Sequence, residues 1–216
     1  MAKKETDWKA EAKRLKEKLR DLRKKLPPAE TKGAKKAHPV SPLAPASFPD
    51  LPAIDGAEFS AVEAGVRYAN RTDVMLVRLA PGTTVAGAFT RSSTRAACVL
   101  DCQAKLKRRA RAEEGAAIVV NSGNSNAFTG AVGVQAVKKV TGAVADALGL
   151  PAERVFSSST GVIGEPLPYE RIVAKVPDLV RGLASDAVGM AARAIMPTDT
   201  FPKGASARLQ GDGGEI

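Results

Sequence analysis

The sequence has a single histidine, His38, and it falls in a stretch rich in proline and alanine. From Pro39 to Ile216 there is none. That absence removes Ser-His-Asp and Cys-His chemistry, along with histidine-ligated metal sites, so any catalysis needs another base. Only two cysteines are present, Cys98 and Cys102, too few for a disulfide framework. They read as reduced, buried or half-buried thiols without chemistry, in a cytoplasm-like compartment. No apolar run approaches the ~20 residues that a membrane-spanning helix needs. The lysine-rich start has no apolar core of a secretory signal, and no membrane partner is expected.

A broad basic surface is also missing, despite a formal charge of +10. Residues 1–38 hold 14 Lys and Arg against 6 Asp and Glu, a net of +8, which leaves +2 for residues 39–216. The nearly neutral body argues against a nucleic-acid partner. The division also predicts the organisation, with a basic helical extension and linker over 1–38 and the main domain over 39–216.

Within the extension, residues 6–26 read as an amphipathic helix. Trp8, Ala12, Leu15, Leu19, Leu22 and Leu26 share one stripe, and Pro27 and Pro28 end it. Three heptads suit a solvated or weakly self-associating helix, or a docking arm for an acidic partner or nucleic acid. The proline-rich run 27–54 reads as a linker and extended lead-in.

The body mixes strand and helix signals and predicts an α/β fold. Strands are expected over "EFSAVEAGVRY" (58–68), "DVMLVRLA" (73–80), "VAGAFT" (85–90), "AACVLDC" (96–102), the wholly apolar "AAIVV" (116–120) and "ERVFSSST" (153–160). Helices are expected over the basic stretch 103–113, over 132–148 with Gly149 as its stop, and over 168–182 and 185–196. The end, "ASARLQGDGGEI", reads as a strand, a turn and a strand barely begun, so the chain looks cut short.

The chemistry concentrates in "FSSSTGVIGEPLP", Phe156 to Pro168. Gly161 lets the backbone present an N–H with no side chain in the way, and Thr160 adds a hydroxyl beside it. Two donors aimed at one point make an oxyanion hole, where losing one donor costs ~3 kcal/mol of transition-state stabilisation. A hydroxyl-rich structural turn explains the same residues. A phosphate nest fits less well, since Glu165 and Pro166 bring a negative charge and a missing N–H. Ser157, Ser158 and Ser159 have no base to make one of them a nucleophile. In "NSGNSN" (121–126) the amides are expected to tie down backbone.

Taken in order, "GVRYANRTDVMLV", "GTTVAGAFTRS", "AIVVNSGNSNAFTG", "SSTGVIGEPLP" and "ARAIMPTDTFPKGA" resemble the N-terminal (α) half of ornithine acetyltransferase, also called bifunctional glutamate N-acetyltransferase. The resemblance runs from about Ser41 to Ile216. It implies a layered sheet-and-helix fold that is incomplete without a β part from the same precursor, cut by self-cleavage before a threonine. That threonine would be the nucleophile, with its own α-amine as base. It would carry acetyl from N-acetylornithine to glutamate by a ping-pong route in cytoplasmic arginine biosynthesis.

The family assembles as an α2β2 heterotetramer and uses no cofactor, although some members also take acetyl-CoA as donor. By the same resemblance Thr160 and Gly161 form the oxyanion hole. The family's Ala-Lys-Gly run and Met-Ala-Thr cleavage site are absent from these residues, so the chain alone is expected to be inactive. "MPTDT" puts Pro197 where the family has a substrate-contacting threonine, which leaves Thr198 to take over or substrate binding weakened. From another class of function, a non-catalytic fragment or binding module would act through residues 1–38.

Overall fold

The computed structural model describes residues 11, 13, 14, 16–18, 21 and 39–216, apart from 110, 112, 212, 213 and 216. The chain divides into two compact units, Met1–His38 and Pro39–Ile216. In the first, the described residues Glu11, Lys13, Arg14, Lys16, Glu17, Lys18 and Asp21 are helical and exposed. The apolar stripe expected over 6–26 lies outside the described residues, as does His38.

The second unit is built on a four-stranded sheet in sequence order. Strands β1 (Ala57–Val62), β2 (Val74–Leu79) and β3 (Ala116–Asn124) pair antiparallel, and β4 (Val155–Val162) joins β3 in parallel. A parallel pair needs a crossover, and helix α2 (Gly130–Leu148) supplies it. Its buried residues Ala136, Val137, Val140, Val144 and Ala145 recur at helical spacing. Gly149 ends it in the left-handed conformation at φ +64°, where its N–H reaches back to Ala145 O and Asp146 O.

Helix α2 and helix α3 (Tyr169–Arg181) cover one face of the sheet. Leu76, Val119 and Val155 from the strands meet Val140, Val144, Ile172, Val176 and Leu179 from the helices in one core. Burial of such side chains, ~1.5–3 kcal/mol each, drives the assembly. Below β1, the buried Asp73 carboxylate closes the loop from Val62 by accepting the N–H groups of Ala64 (2.7 Å) and Val66 (2.6 Å).

Two expected strands are not strands. Residues 96–102 lie largely in helix α1 (Ala97–Lys105), and the basic stretch after Lys105 leaves the helix. The valine and cysteine content that suggested a strand serves instead a short helix lying along the outer edge of β4. Cys102 Sγ donates to Ser157 O (3.3 Å) and Lys105 Nζ to Val155 O (2.7 Å). Residues 85–90 have no regular structure. The outer edge of β4 is taken by α1, and that of β1 by Ala184, whose N–H and C=O both bond Phe59. With no edge to join, Val85 and Phe89 pack their side chains against Cys102, Ala116 and Phe156.

Other boundaries shift by a few residues. The helix expected over 185–196 spans Val188–Ala194 (α4), and the strand from residue 58 ends at Val62. The tail forms a small hairpin, β5 (Gln210–Gly211) with β6 (Gly214–Glu215). Among the described residues, no helix is long and apolar enough to cross a membrane.

Candidate active site

Thr160 and Gly161 are not in a turn but inside the last part of β4, opposite Ser122 and Gly123 of β3. The turn follows at Ile163–Glu165. Gly164 has φ +81° there, and its N–H donates to Ala127 O (2.9 Å). Residues of a strand point their backbone groups alternately to either side. Val155 and Ser157 direct their carbonyls to α1, away from β3. Gly161 has the same parity, which in a regular strand would turn its N–H outward, away from β3.

Gly161 takes φ +133°, and a Cβ there would lie 2.3 Å from Gly123 C and 2.6 Å from Asn124 N. The two strands approach so closely at this pair that only glycine fits. Thr160 is half-buried, and its hydroxyl makes no hydrogen bond among the described residues. The Thr160 hydroxyl and, by that parity, the Gly161 N–H are thus two adjoining donors with no acceptor shown among the described residues. Helix α1 starts beside them, with Cys98 against the Ser159 backbone, so its positive end lies at the same end of β4.

The neighbouring polar residues are committed to structure. Ser159 Oγ lies 2.7 Å from Asn121 Oδ1, and Asn121 Nδ2 donates to Asn124 O (2.8 Å). Asn124 Nδ2 reaches Glu165 O (3.1 Å) and Pro166 O (3.3 Å), while Asn126 Nδ2 reaches Gly133 O (3.0 Å). The amides of "NSGNSN" hold the backbone around the turn, and they extend β3 beyond the apolar run to Asn124. Ser157 Oγ is buried with no hydrogen-bond partner among the described residues, and Ser158 is exposed. No lysine or arginine side chain bonds any of the three serine hydroxyls among the described residues. Glu165 is turned to Arg67, 2.5 Å away.

The sheet also holds the segment of Pro197 and Thr198. Ser122 shares a sheet face with Thr160, and its buried hydroxyl donates to Ala194 O (2.7 Å) at the end of α4. Sequence reading missed Ser122, whose role depends on contact with a residue 72 positions away. Pro197 is half-buried and Thr198 exposed. Thr200 Oγ1 accepts the Ser41 N–H (3.1 Å), and Lys203 Nζ sits 2.5 Å from Asp199 Oδ1. The Lys203 hydrogen bond holds the Asp199 carboxyl below its ordinary range.

Cys98 and Cys102 are free and buried, and burial pushes both thiols up from their ordinary value. A raised thiol pKa means that the fold favours the protonated form. Its stabilising contribution is present below the unfolded value and is lost as pH rises through the folded one. Alkylation of the native protein at pH 7.5 is therefore expected to run at least ~10-fold slower than after unfolding. Mass spectrometry of iodoacetamide adducts checks this, and equal rates in both states would refute the assignment of inert thiols.

Residues 58–216 match the model of the ArgJ family. The chain belongs to the ArgJ family. It is 63% identical over 175 residues to the arginine biosynthesis bifunctional protein ArgJ of Ruegeria pomeroyi, an alignment covering 81% of this chain and 42% of that protein. Its identity with the ArgJ protein of Nitrobacter winogradskyi is 51% over 171 residues, covering 79% and 41% respectively. The chain thus spans about two fifths of the curated relatives it matches.

The crystal structure of ornithine acetyltransferase complexed with ornithine from Mycobacterium tuberculosis matches with a TM-score of 0.66 and 33% identity, over 75% of this chain and 86% of that one. An ArgJ structure from Bacillus halodurans shares the fold, with a TM-score of 0.61 at 23% identity over 75% and 83% of the two chains. The mixed sheet-and-helix class expected from sequence is the class of these structures.

Proposed function

We propose that this chain supplies the oxyanion-stabilising half of an acetyl-transfer site, in which acetyl passes from N-acetylornithine to glutamate. The observation that carries this reading is the adjoining pair Thr160 Oγ1 and Gly161 N–H on β4, with no acceptor shown among the described residues, in a chain of the ArgJ family. Membership of a family named for arginine biosynthesis, and likeness to a structure titled ornithine acetyltransferase with ornithine, support the substrate class.

The nucleophile of this mechanism is a threonine outside these 216 residues. It attacks the acetyl carbonyl of N-acetylornithine, and the carbonyl oxygen gains negative charge as the tetrahedral intermediate forms. Thr160 and Gly161 donate to that oxygen. Their positions are fixed in advance by the β3–β4 ladder, so little reorganisation is needed when the charge develops. Ornithine leaves, the acetyl group stays on the threonine, and glutamate then takes it through a second intermediate on the same donors.

In this reading Thr198 takes over the substrate contact that Pro197, with no hydroxyl, cannot make, or substrate binding is weakened. The reading includes a β part from the same precursor, an α2β2 assembly, a cytoplasmic setting and acetyl-CoA as a second acetyl donor. The complete protein, given N-acetylornithine alone, is expected to release about one ornithine per site in a burst. Adding glutamate should then give steady N-acetylglutamate formation. Ornithine release that requires glutamate from the first turnover would overturn the acetyl-enzyme route, and no acetyl transfer at all would overturn the function.

A further inference from the structure

A concave site lies at the end of β4 opposite to Thr160 and Gly161. A cavity of about 370 Å³ opens where β4 begins, between the loop after α1 and the turn after β2. Val155 and Gly161 are six strand residues apart, about 20 Å at strand rise, so the cavity is separate from the proposed acetyl-transfer site. Its lining is unusually basic for a body with so little net charge. Lys105, Arg108, Arg109, Arg111 and Arg154 face it, against only Glu114 and Glu153.

Part of that charge is already used. Lys105 pairs with Asp101 (2.7 Å), and Arg108 pairs with Glu153 (2.5 Å). Glu114 Oε2 accepts the backbone N–H of Arg111 (3.3 Å). The guanidinium groups of Arg109 and Arg111 have no hydrogen bond or ion pair among the described residues.

Arg154 is the more telling group. It is 5% exposed, yet its side chain meets only backbone carbonyls. Nε donates to Gly115 O (3.0 Å), and Nη2 donates to Thr83 O (2.8 Å) and Glu114 O (3.5 Å). No carboxylate pairs with it among the described residues. A buried cation without a counter-charge is costly, and proteins rarely keep one without a use. Its Nη1 makes no hydrogen bond among the described residues. A guanidinium fixed by backbone carbonyls thus lines the cavity together with the exposed side chains of Arg109 and Arg111.

We propose that this cavity binds a phosphate-bearing small molecule. Phosphate oxygens match the guanidinium fork, and a ligand carrying two or more negative charges would neutralise the lining and give Arg154 its missing counter-charge. The cavity volume suits a small ligand rather than a polymer. A phosphorylated metabolite and a nucleotide share this chemistry.

The test uses calorimetric titration of the full-length protein with inorganic pyrophosphate and, separately, with ADP. Saturable pyrophosphate binding is expected, weakened about tenfold or more in Arg109→Gln/Arg111→Gln by loss of two charge-assisted contacts. Both residues are exposed, so the variant should fold, and an unchanged melting temperature without ligand verifies it. Lys138→Gln/Lys139→Gln removes the same charge from the exposed face of α2 and is expected to bind as the parent does. Equal affinity for pyrophosphate and ADP assigns the site to phosphate groups alone, and tighter ADP assigns it to a nucleotide. Three results would overturn the proposal: no saturable binding of either probe, equal weakening in the two double variants, or arginine-dependent binding of a single-stranded oligonucleotide without pyrophosphate binding.

Discussion

Thr160→Ala, made in the complete protein, is expected to lower kcat for acetyl transfer by about 10²-fold or more, the usual effect of losing one oxyanion donor. Its effect on folding should be small. The Thr160 hydroxyl has no hydrogen-bond partner among the described residues, so its removal leaves none of them unsatisfied. The site is half-buried, and the change in stability should stay within about 0.5 kcal/mol, or ~2 °C in Tm. A donor engaged only once the oxyanion forms lowers kcat and kcat/KM together, while KM holds. Thr160→Ser keeps the hydroxyl and should keep most of the rate. Steady-state kinetics and thermal melts of both variants decide the matter. An unchanged kcat in Thr160→Ala, or a loss confined to KM, would remove Thr160 from the oxyanion role.

The sequence made Thr160 and Gly161 visible because their chemistry is local: a hydroxyl beside a residue without a Cβ. It could not show which way the Gly161 N–H faces. That depends on the parity of β4 against β3 and on α1 occupying the outer edge. The edge itself was hidden because "AACVLDC" is rich in residues favoured in strands. Cys98, Cys102 and Lys105 are spaced at four and three, a helical period, but nine residues carry too few turns for that period to outweigh composition. The longer α2 shows the opposite case, with Val137, Val140 and Val144 marking its buried face and Gly149 its end.

Long-range bonds escaped the sequence for a different reason. Ser122, Arg154 and Asp73 are polar residues whose partners are backbone groups brought near by the fold. A backbone carbonyl or amide has no residue-type signature. No spacing rule could connect Ser122 with Ala194, and hence Thr160 with the segment carrying Pro197 and Thr198. "VAGAFT" failed as a strand on the same grounds. Its propensity is adequate, but a strand also needs an edge with free backbone groups, and both edges of this sheet are covered.

Gly161→Ala should damage fold and function together, through a mechanism separate from the loss at Thr160. The added methyl would lie 2.3 Å from Gly123 C and 2.7 Å from Gly123 O, inside any real Cβ contact. β3 has little room to retreat, because on its other side the Ser122 N–H is bonded to Asp73 O at 2.8 Å. Overpacking of this kind costs about 1–3 kcal/mol, and a non-glycine residue held at φ +133° adds a strain of about the same size. The combined penalty of about 2–6 kcal/mol corresponds to a Tm roughly 5–20 °C lower for a unit of this size.

Gly164→Ala provides the contrast. Gly164 also has a positive φ, +81°, but nothing lies within 4 Å of where its Cβ would be. Only the backbone strain applies, about 1–3 kcal/mol. The difference between the two variants isolates the close approach of β3 and β4. If Gly161→Ala melts no lower than Gly164→Ala, the β3–β4 contact is not what requires glycine. If it melts much lower but the folded fraction turns over at the parent rate, the Gly161 N–H is not an oxyanion donor. Displacing the Gly161 backbone by even a few tenths of an ångström moves that donor off the oxygen it serves, so the folded fraction should itself be slower by about tenfold or more.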